Sequence, residues 1–155
     1  MDTRRLKPSR LLLIGDACID IYHYGKCLRI SPEAPVPVFD LIHSEKRPGM
    51  ALNVSKNLIA LGNGVKMHIN SETITKERYV DKKTMQHILR VDTKGSEKIK
   101  SIDYEVLDII DFSKFDGIVL SDYDKGFLTE QSISYILKLA KGLPVFVDSK
   151  KKDLS

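Results

Sequence analysis

Four short stretches of this chain gather side chains suited to holding a hydroxylated, negatively charged small molecule. Gly15-Asp16-Ala-Cys-Ile-Asp20 offers two carboxylates four residues apart. A carboxylate beside a sugar accepts hydrogen bonds from adjacent hydroxyls. Ser121-Asp122-Tyr123-Asp124-Lys125-Gly126 and Asp148-Ser149-Lys150 set lysines among acids, where an ammonium can face a phosphate. Arg47-Pro48-Gly49-Met50-Ala51-Leu52-Asn53 reads as a Pro-Gly turn opening a helix. Such a turn brings backbone N–H groups close to whatever sits at the helix start. Asn53, in the first helical turn, both donates and accepts, as a sugar hydroxyl does. Bland alternatives stand beside these readings. Asp16 equally suits a turn or a cap, and the stretch after Gly49 an ordinary packing helix. Arg90 reads either as a phosphate contact or as a solvated strand charge. Lys151 and Lys152 read as a solvated tail.

The elements that must position these groups follow from hydrophobic spacing. Arg10 to Gly15 is a short apolar run, the pattern of a buried parallel strand. Similar runs predict strands near 65–69, 117–121 and 144–148. If the first strand continues past Gly15, Asp16 and Asp20 share one face, because strand period is two. Ala51, Leu52, Val54, Ser55, Leu58, Ile59 and Leu61 fall at helical spacing, and Gly62 closes that helix. Thr129 is a good N-cap for a second helix over 129–141, and 104–110 is a short third. Tyr22 to Ile30 looks irregular. Pro32, Pro35 and Pro37 keep Val36–His43 out of a central strand, since each lacks an N–H donor. Ile74–Val80 and Gln86–Asp92 alternate like a hairpin, with Ile74, Lys76, Arg78 and Val80 on one side. The Pro-rich strand and this hairpin should form a small separate sheet. Strand–helix alternation elsewhere predicts an α/β fold with a mainly parallel sheet. In such sheets ligands bind at the C-terminal strand ends, which here carry Asp16, Asp20, Asp122, Lys125, Asp148 and Lys150.

The 155 residues suffice for one domain with a real core. A hydrophobic content of 42% and a charged content of 30% are ordinary for a globular chain. Apolar runs are too short to span a bilayer, and the basic N-terminus has no apolar stretch of signal-peptide length; a cytoplasmic protein without membrane contact is expected. Cys18 and Cys27 show no metal spacing and are expected as reduced thiols. The net charge of +4 is spread along the chain. That favours small anions, such as sugar phosphates or nucleotides. A nucleic-acid surface would need a denser basic run with interleaved aromatics.

Taken together, the motifs resemble the ribokinase-like (PfkB) carbohydrate kinases, most of all the heptose 7-phosphate kinase domain of bifunctional ADP-heptose synthesis enzymes. The carriers are Gly15–Asp20, Arg29-Ile-Ser-Pro-Glu-Ala-Pro-Val-Pro-Val38, Arg47–Asn53, Thr75-Lys-Glu-Arg78, Leu89-Arg-Val-Asp92, Leu120–Gly126 and Val147-Asp-Ser-Lys150. They cover most of the chain in family order. The resemblance implies a sugar-binding role for Asp16, Asp20, Gly49, Asn53 and Arg90, and a phosphate-side position for Lys125 and Lys150. It implies lid strands at about 36–43 and 74–92, which close over the sugar and often mediate dimers. It also implies ATP and Mg2+ as cofactors and phosphoryl transfer to a sugar phosphate.

The departures shape the functional expectation. Gly49-Met50 stands where the family has Gly-Gly. Asn70-Ser-Glu bridges directly where the family has a Gly-Asp-Asp segment, a helix and a strand. No Gly-x-Gly-Asp stretch is present, so no catalytic residue is assigned. The expectation is one partial ribokinase-like domain over 1–155, inactive alone. It would pair as a homodimer through the lid strands or with a second chain supplying the nucleotide half. The alternatives are a non-catalytic sugar-phosphate-binding or kinase-pairing module, and a remnant that folds poorly. Open sheet edges should favour association.

Overall fold

The computed structural model describes residues 7–94 and 97–151. The elements run β1 (Arg10–Gly15), β2 (Ala17–Ile30), β3 (Pro37–Met50), α1 (Ala51–Ala60), β4 (Gly64–Ile69), β5 (Thr75–Asp81) and β6 (His87–Asp92). There follow α2 (Tyr104–Asp108), a single 3-10 turn (Phe112–Lys114), β7 (Gly117–Asp122), α3 (Glu130–Leu139) and β8 (Val145–Ser149).

Two four-stranded sheets result. The first has the order β4-β1-β7-β8 and is entirely parallel. Its central strand β1 is buried on both sides: Leu12, Leu13 and Ile14 have no exposed surface. That burial is why its sequence is an unbroken apolar run. Leu12, Ile14, Ile118 and Leu120 meet Ile133, Ile136 and Ala140 of the α3 region in one core cluster. Leu13 alternates to the opposite face, where α1 packs. The predicted parallel sheet with flanking helices is therefore present, with strands and helices within one or two residues of the expected ranges.

The helix ends follow capping chemistry. The Ser132 N–H donates to the Thr129 hydroxyl oxygen at 3.0 Å, and the Thr129 N–H donates to the Ser132 hydroxyl oxygen at 2.9 Å. Thr129→Ala is expected to cost about 1 kcal/mol in urea unfolding. An unchanged midpoint would show the cap to be dispensable. At the end of α1, Gly62 takes φ 90°. The Asn63 N–H reaches the Leu58 carbonyl at 3.2 Å, closing the helix in the left-handed manner expected.

The second sheet has the order β3-β2-β5-β6 and corrects three expectations. Tyr22–Ile30 is regular: it belongs to the 14-residue strand β2, which pairs antiparallel with β3 and parallel with β5. Two register shifts, at Tyr24/Gly25 and Cys27/Arg29, break its alternation. Pro48 and Gly49 do not turn. They continue β3, where Pro48 pairs with Ile19. β3 is an edge strand, so the missing N–H of Pro48 costs no ladder bond. The turn falls at Met50, which takes φ 52° and buries its side chain in the core. The third correction concerns α1. Only Ala51 and Ser55 are buried, while Ile59 and Leu61 are 55% and 69% exposed. The helix packs against β3 and against β4, an edge strand, which leaves Ile59 and Leu61 facing outward.

The chain passes between the sheets three times at one place. Asp16 joins β1 to β2; its N–H donates to Ser121 O at 3.0 Å and its carbonyl accepts from Ala51 N at 2.9 Å. Met50 ends β3 beside Ala17, with which it pairs. Buried Asn70, after β4, accepts from the Ala17 N–H at 2.6 Å and donates to the Ala17 carbonyl at 3.2 Å. The shortened link predicted at Asn70-Ser-Glu is thus a fastening as well as a connection.

Candidate functional site

The C-terminal ends of β1 and β7 face the inner side of the second sheet, and the polar residues gather along that junction. Asp20, on β2, directs Oδ1 to Arg78 Nη1 on β5 at 2.6 Å, with both side chains about one-fifth exposed or less. Asp20 and Arg78 alternate onto the same side of their strands as Tyr22, whose ring lies 5.1 Å beneath the Arg78 guanidinium and 4.6 Å beneath that of Arg47. A Cβ added at Gly49 would fall 2.3 Å from Asp20 Oδ2 and 2.5 Å from Cys18 Sγ. Only glycine lets β3 come this close to the carboxylate.

Asp20 and Asn53 line one recess of about 270 Å³ together with Tyr22, Arg47, Pro48 and Lys56. Asp20 and Asn53 thus share a recess, while Gly49 is not among the residues that line it and meets the Asp20 carboxylate from β3. Met50 does not line the recess, so its side chain does not crowd that approach. α1 begins here without a side-chain cap and with no acidic residue in its first turn. Its N-terminus thus presents backbone N–H groups and positive dipole toward the junction.

Farther along the junction lies a group of cations. Lys76 Nζ and Lys150 Nζ stand 5.7 and 4.9 Å from the centroid of the Tyr123 ring. Burial pushes the Tyr123 phenol above its ordinary range, and the nearby Asp148, Cys18 and Asp20 add to this. Burial likewise raises the Cys18 thiol, against the opposing fields of Lys76 and Arg78. Arg90 makes a two-point contact with Asp92 on its own strand, at 2.6 Å for each bond, and is half exposed. Asp92 is held below the ordinary carboxylate range by that contact first and then by Lys76 and Lys125. Lys125 lies outside the Asp20 recess, on the cation side.

Asp16 is placed differently from Asp20. β1 ends at Gly15 and β2 begins at Ala17 in another sheet, so the two carboxylates do not share a strand face. Asp16 has no exposed surface, and its oxygens accept backbone N–H groups of Tyr123 at 2.7 Å, Lys125 at 3.2 Å and Phe127 at 3.4 Å. Burial raises its carboxyl above the ordinary value; those N–H donors oppose the rise and neighbouring Asp122 adds to it. In this geometry Asp16 shapes the 122–127 loop from beneath.

One residue departs outright from its sequence expectation. Lys151 is no solvated tail: its side chain is 13% exposed, and its ammonium meets the fully buried Asp122 carboxylate. It also donates to the Leu128 carbonyl at 2.8 Å. Lys152 lies outside the described residues. Lys76 and Tyr123 also join the site; both lie in stretches that the sequence singles out, Thr75–Arg78 and Leu120–Gly126, neither of which assigns them a role. The alternation of β5 puts Lys76 beside Arg78, and that is the available signal.

No family model matches the chain. It is 35% identical to the bifunctional protein HldE of Nitratiruptor over 173 aligned positions, covering 94% of this chain and 37% of that protein. The chain thus spans little more than a third of that relative. The aligned length exceeds the 155 residues available, so the relative carries extra residues within the matched region. Among solved structures, Arabidopsis thaliana ribokinase complexed with ribose and ATP superposes with a TM-score of 0.54 at 14% identity, covering 91% of this chain and 53% of that one. The tetrameric inhibited form of Escherichia coli phosphofructokinase-2 gives 0.54 at 11% identity, covering 91% and 55%. These likenesses show the fold.

Proposed function

From a chain that has the ribokinase-like carbohydrate-kinase fold and is related in sequence to the bifunctional HldE proteins, we propose a protein that holds a sugar phosphate as the acceptor side of a kinase. The sugar would sit in the Asp20–Asn53 recess. Its phosphate would lie along Lys76, Lys125 and Lys150. The observations that support this reading are a recess of hydrogen-bonding groups around Asp20 and two lysines on the ring of Tyr123, a residue that feels the Asp20 charge. Hydroxyls and a phosphate are the two chemistries such a junction meets at once. The resemblance read from the sequence makes heptose 7-phosphate the first candidate.

Phosphoryl transfer also needs a nucleotide cradle and a group that accepts the attacking hydroxyl's proton. Buried, ion-paired Asp122 is badly placed for that second role. Among the described residues no cluster of three or more carboxylate, imidazole or thiol groups gathers to hold a metal ion. ATP and Mg2+ are what the family implies, and this reading gives them to residues beyond this chain's own site. A partner is supported by exposed apolar side chains on the second sheet, among them Leu41, Ile42, Leu89 and Val91. A second copy through that lid, or a chain supplying the nucleotide half, would cover such surface. Among the described residues, no helix is long and apolar enough to cross a membrane.

Titration calorimetry of the purified chain, with heptose 7-phosphate and separately with ATP, tests the reading. Binding of the sugar phosphate without binding of ATP is expected. Absence of sugar-phosphate binding removes the proposal, and rapid ATP-dependent phosphorylation by the chain alone overturns its division of labour.

A further inference from the structure

We propose that Lys151 is a positioning residue for the cation cluster, fixing the chain beyond β8 so that Lys150 lies over the Tyr123 ring. The proposal rests on reading that cluster as the phosphate side of the sugar-phosphate site.

One carboxylate ties together the two segments that meet there. Asp122 accepts the backbone N–H of Asp124 at 2.9 Å and the Ser149 hydroxyl at 2.7 Å, and it meets the Lys151 ammonium. The Lys150 N–H donates to the Asp122 carbonyl at 3.0 Å, and the Lys151 N–H donates to the Ser149 hydroxyl oxygen at 3.0 Å. Tyr123 therefore leaves Asp122 on one side, while Lys150 is held against it on the other. The ring and the ammonium that stand 4.9 Å apart are set by the same node.

Charge decides whether the node holds. Asp122 has no exposed side-chain surface, and it neighbours Asp16, a second carboxylate with none. Two buried anions side by side are strongly disfavoured without a cation, since an uncompensated buried charge costs several kcal/mol. The Lys151 ammonium supplies that cation. Its second bond, to the Leu128 carbonyl, anchors it beyond the 122–127 loop. Without Lys151, the cheapest relief is for Asp122 to move toward water, carrying Tyr123 with it and freeing Lys150. Lys151 would thus govern phosphate affinity without touching phosphate.

The test combines two readouts on folded protein. Proton NMR reads the upfield ring-current shift that Tyr123 imposes on the Lys150 side-chain methylenes. Titration with inorganic phosphate reads affinity. Lys150→Met should weaken phosphate binding on the order of tenfold, the equivalent of one contact of about 1.4 kcal/mol. Lys151→Met should weaken it as much and should also abolish the Lys150 shift, while Lys151→Arg restores both. Should Lys151→Met fail to fold, the double variant Asp122→Asn, Lys151→Met removes the unpaired charge, and recovery of a folded protein with the Lys150 shift supports the proposal, whereas a double variant that stays unfolded or lacks the shift overturns it. A folded Lys151→Met that keeps both the shift and the affinity also overturns it. If Lys150→Met leaves phosphate binding unchanged, the phosphate-side reading fails instead, and the ring-current measurement still decides the positioning role.

Discussion

Gly15→Ala is expected to destabilise the protein by about 3 kcal/mol or more, read as a lowered midpoint in urea unfolding. The added Cβ would fall 2.2 Å from the Ser121 carbonyl oxygen and 2.9 Å from its carbonyl carbon. Both are backbone atoms of β7, the strand paired with β1. A side chain could swing aside, but this oxygen cannot, because it already accepts the Asp16 N–H at 3.0 Å. Relief requires prising β1 from β7 where the chain leaves the first sheet. Gly64→Ala is the matched control. It sits on the edge strand β4, and the nearest atom to its Cβ is 3.9 Å away. That variant should unfold near the wild-type midpoint. If Gly15→Ala does the same, the close approach between these strands is wrong.

Asp20→Ala is expected to weaken heptose 7-phosphate binding by on the order of 1.5–3 kcal/mol, through loss of a charge-assisted hydrogen bond. Arg78 already engages Oδ1 at 2.6 Å, and Gly49 leaves Oδ2 open at the recess side. The arginine thus orients the carboxylate while one oxygen remains for a hydroxyl. Gly49→Ala should act in the same direction without deleting any polar group, because its Cβ would displace that oxygen. Lys125→Ala should weaken binding in a salt-dependent way, since it would act through charge. Calorimetry at two ionic strengths separates the effects. An unchanged affinity in Asp20→Ala would move the sugar out of this recess.

The parts legible in the sequence are those where burial dictates composition. β1 and β7 lie between two packed layers, so their apolar runs are unambiguous. Thr129 and Gly62 announce helix ends through capping chemistry local to a few residues. β2 is obscured because two bulges shift its register, so no single period of two survives from Ala17 to Ile30. Pro48 misleads because a proline on a sheet edge needs no ladder donor, which only the strand order reveals. The apparent kinship of Asp16 and Asp20 assumes one continuous strand, whereas the chain changes sheets between them. Lys151 is hidden by its place in a lysine run that reads as a solvated tail at 151 and 152, and only the distant Asp122 marks it as buried.

The gathering of three passages at Asp16–Ala17, Met50–Ala51 and Asn70 also constrains motion. Backbone and amide bonds lash these passages together within a few residues, so the second sheet cannot slide over the first without breaking several at once. Rotation about that line is the motion these bonds oppose least, though the fourth crossing, from β6 to β7, restrains it where the Ile99 N–H donates to the Lys125 carbonyl at 2.9 Å. A rigid flap turning on such a pivot moves least near Ala17 and most at its far end, the 81–87 turn and the β2–β3 loop. Asp20 sits three residues from the axis, and Lys76, its register partner on β5, lies at the same level. Opening would therefore move Asp20 and Lys76 together and only slightly, while the 81–87 turn and the β2–β3 loop swing through the largest arc.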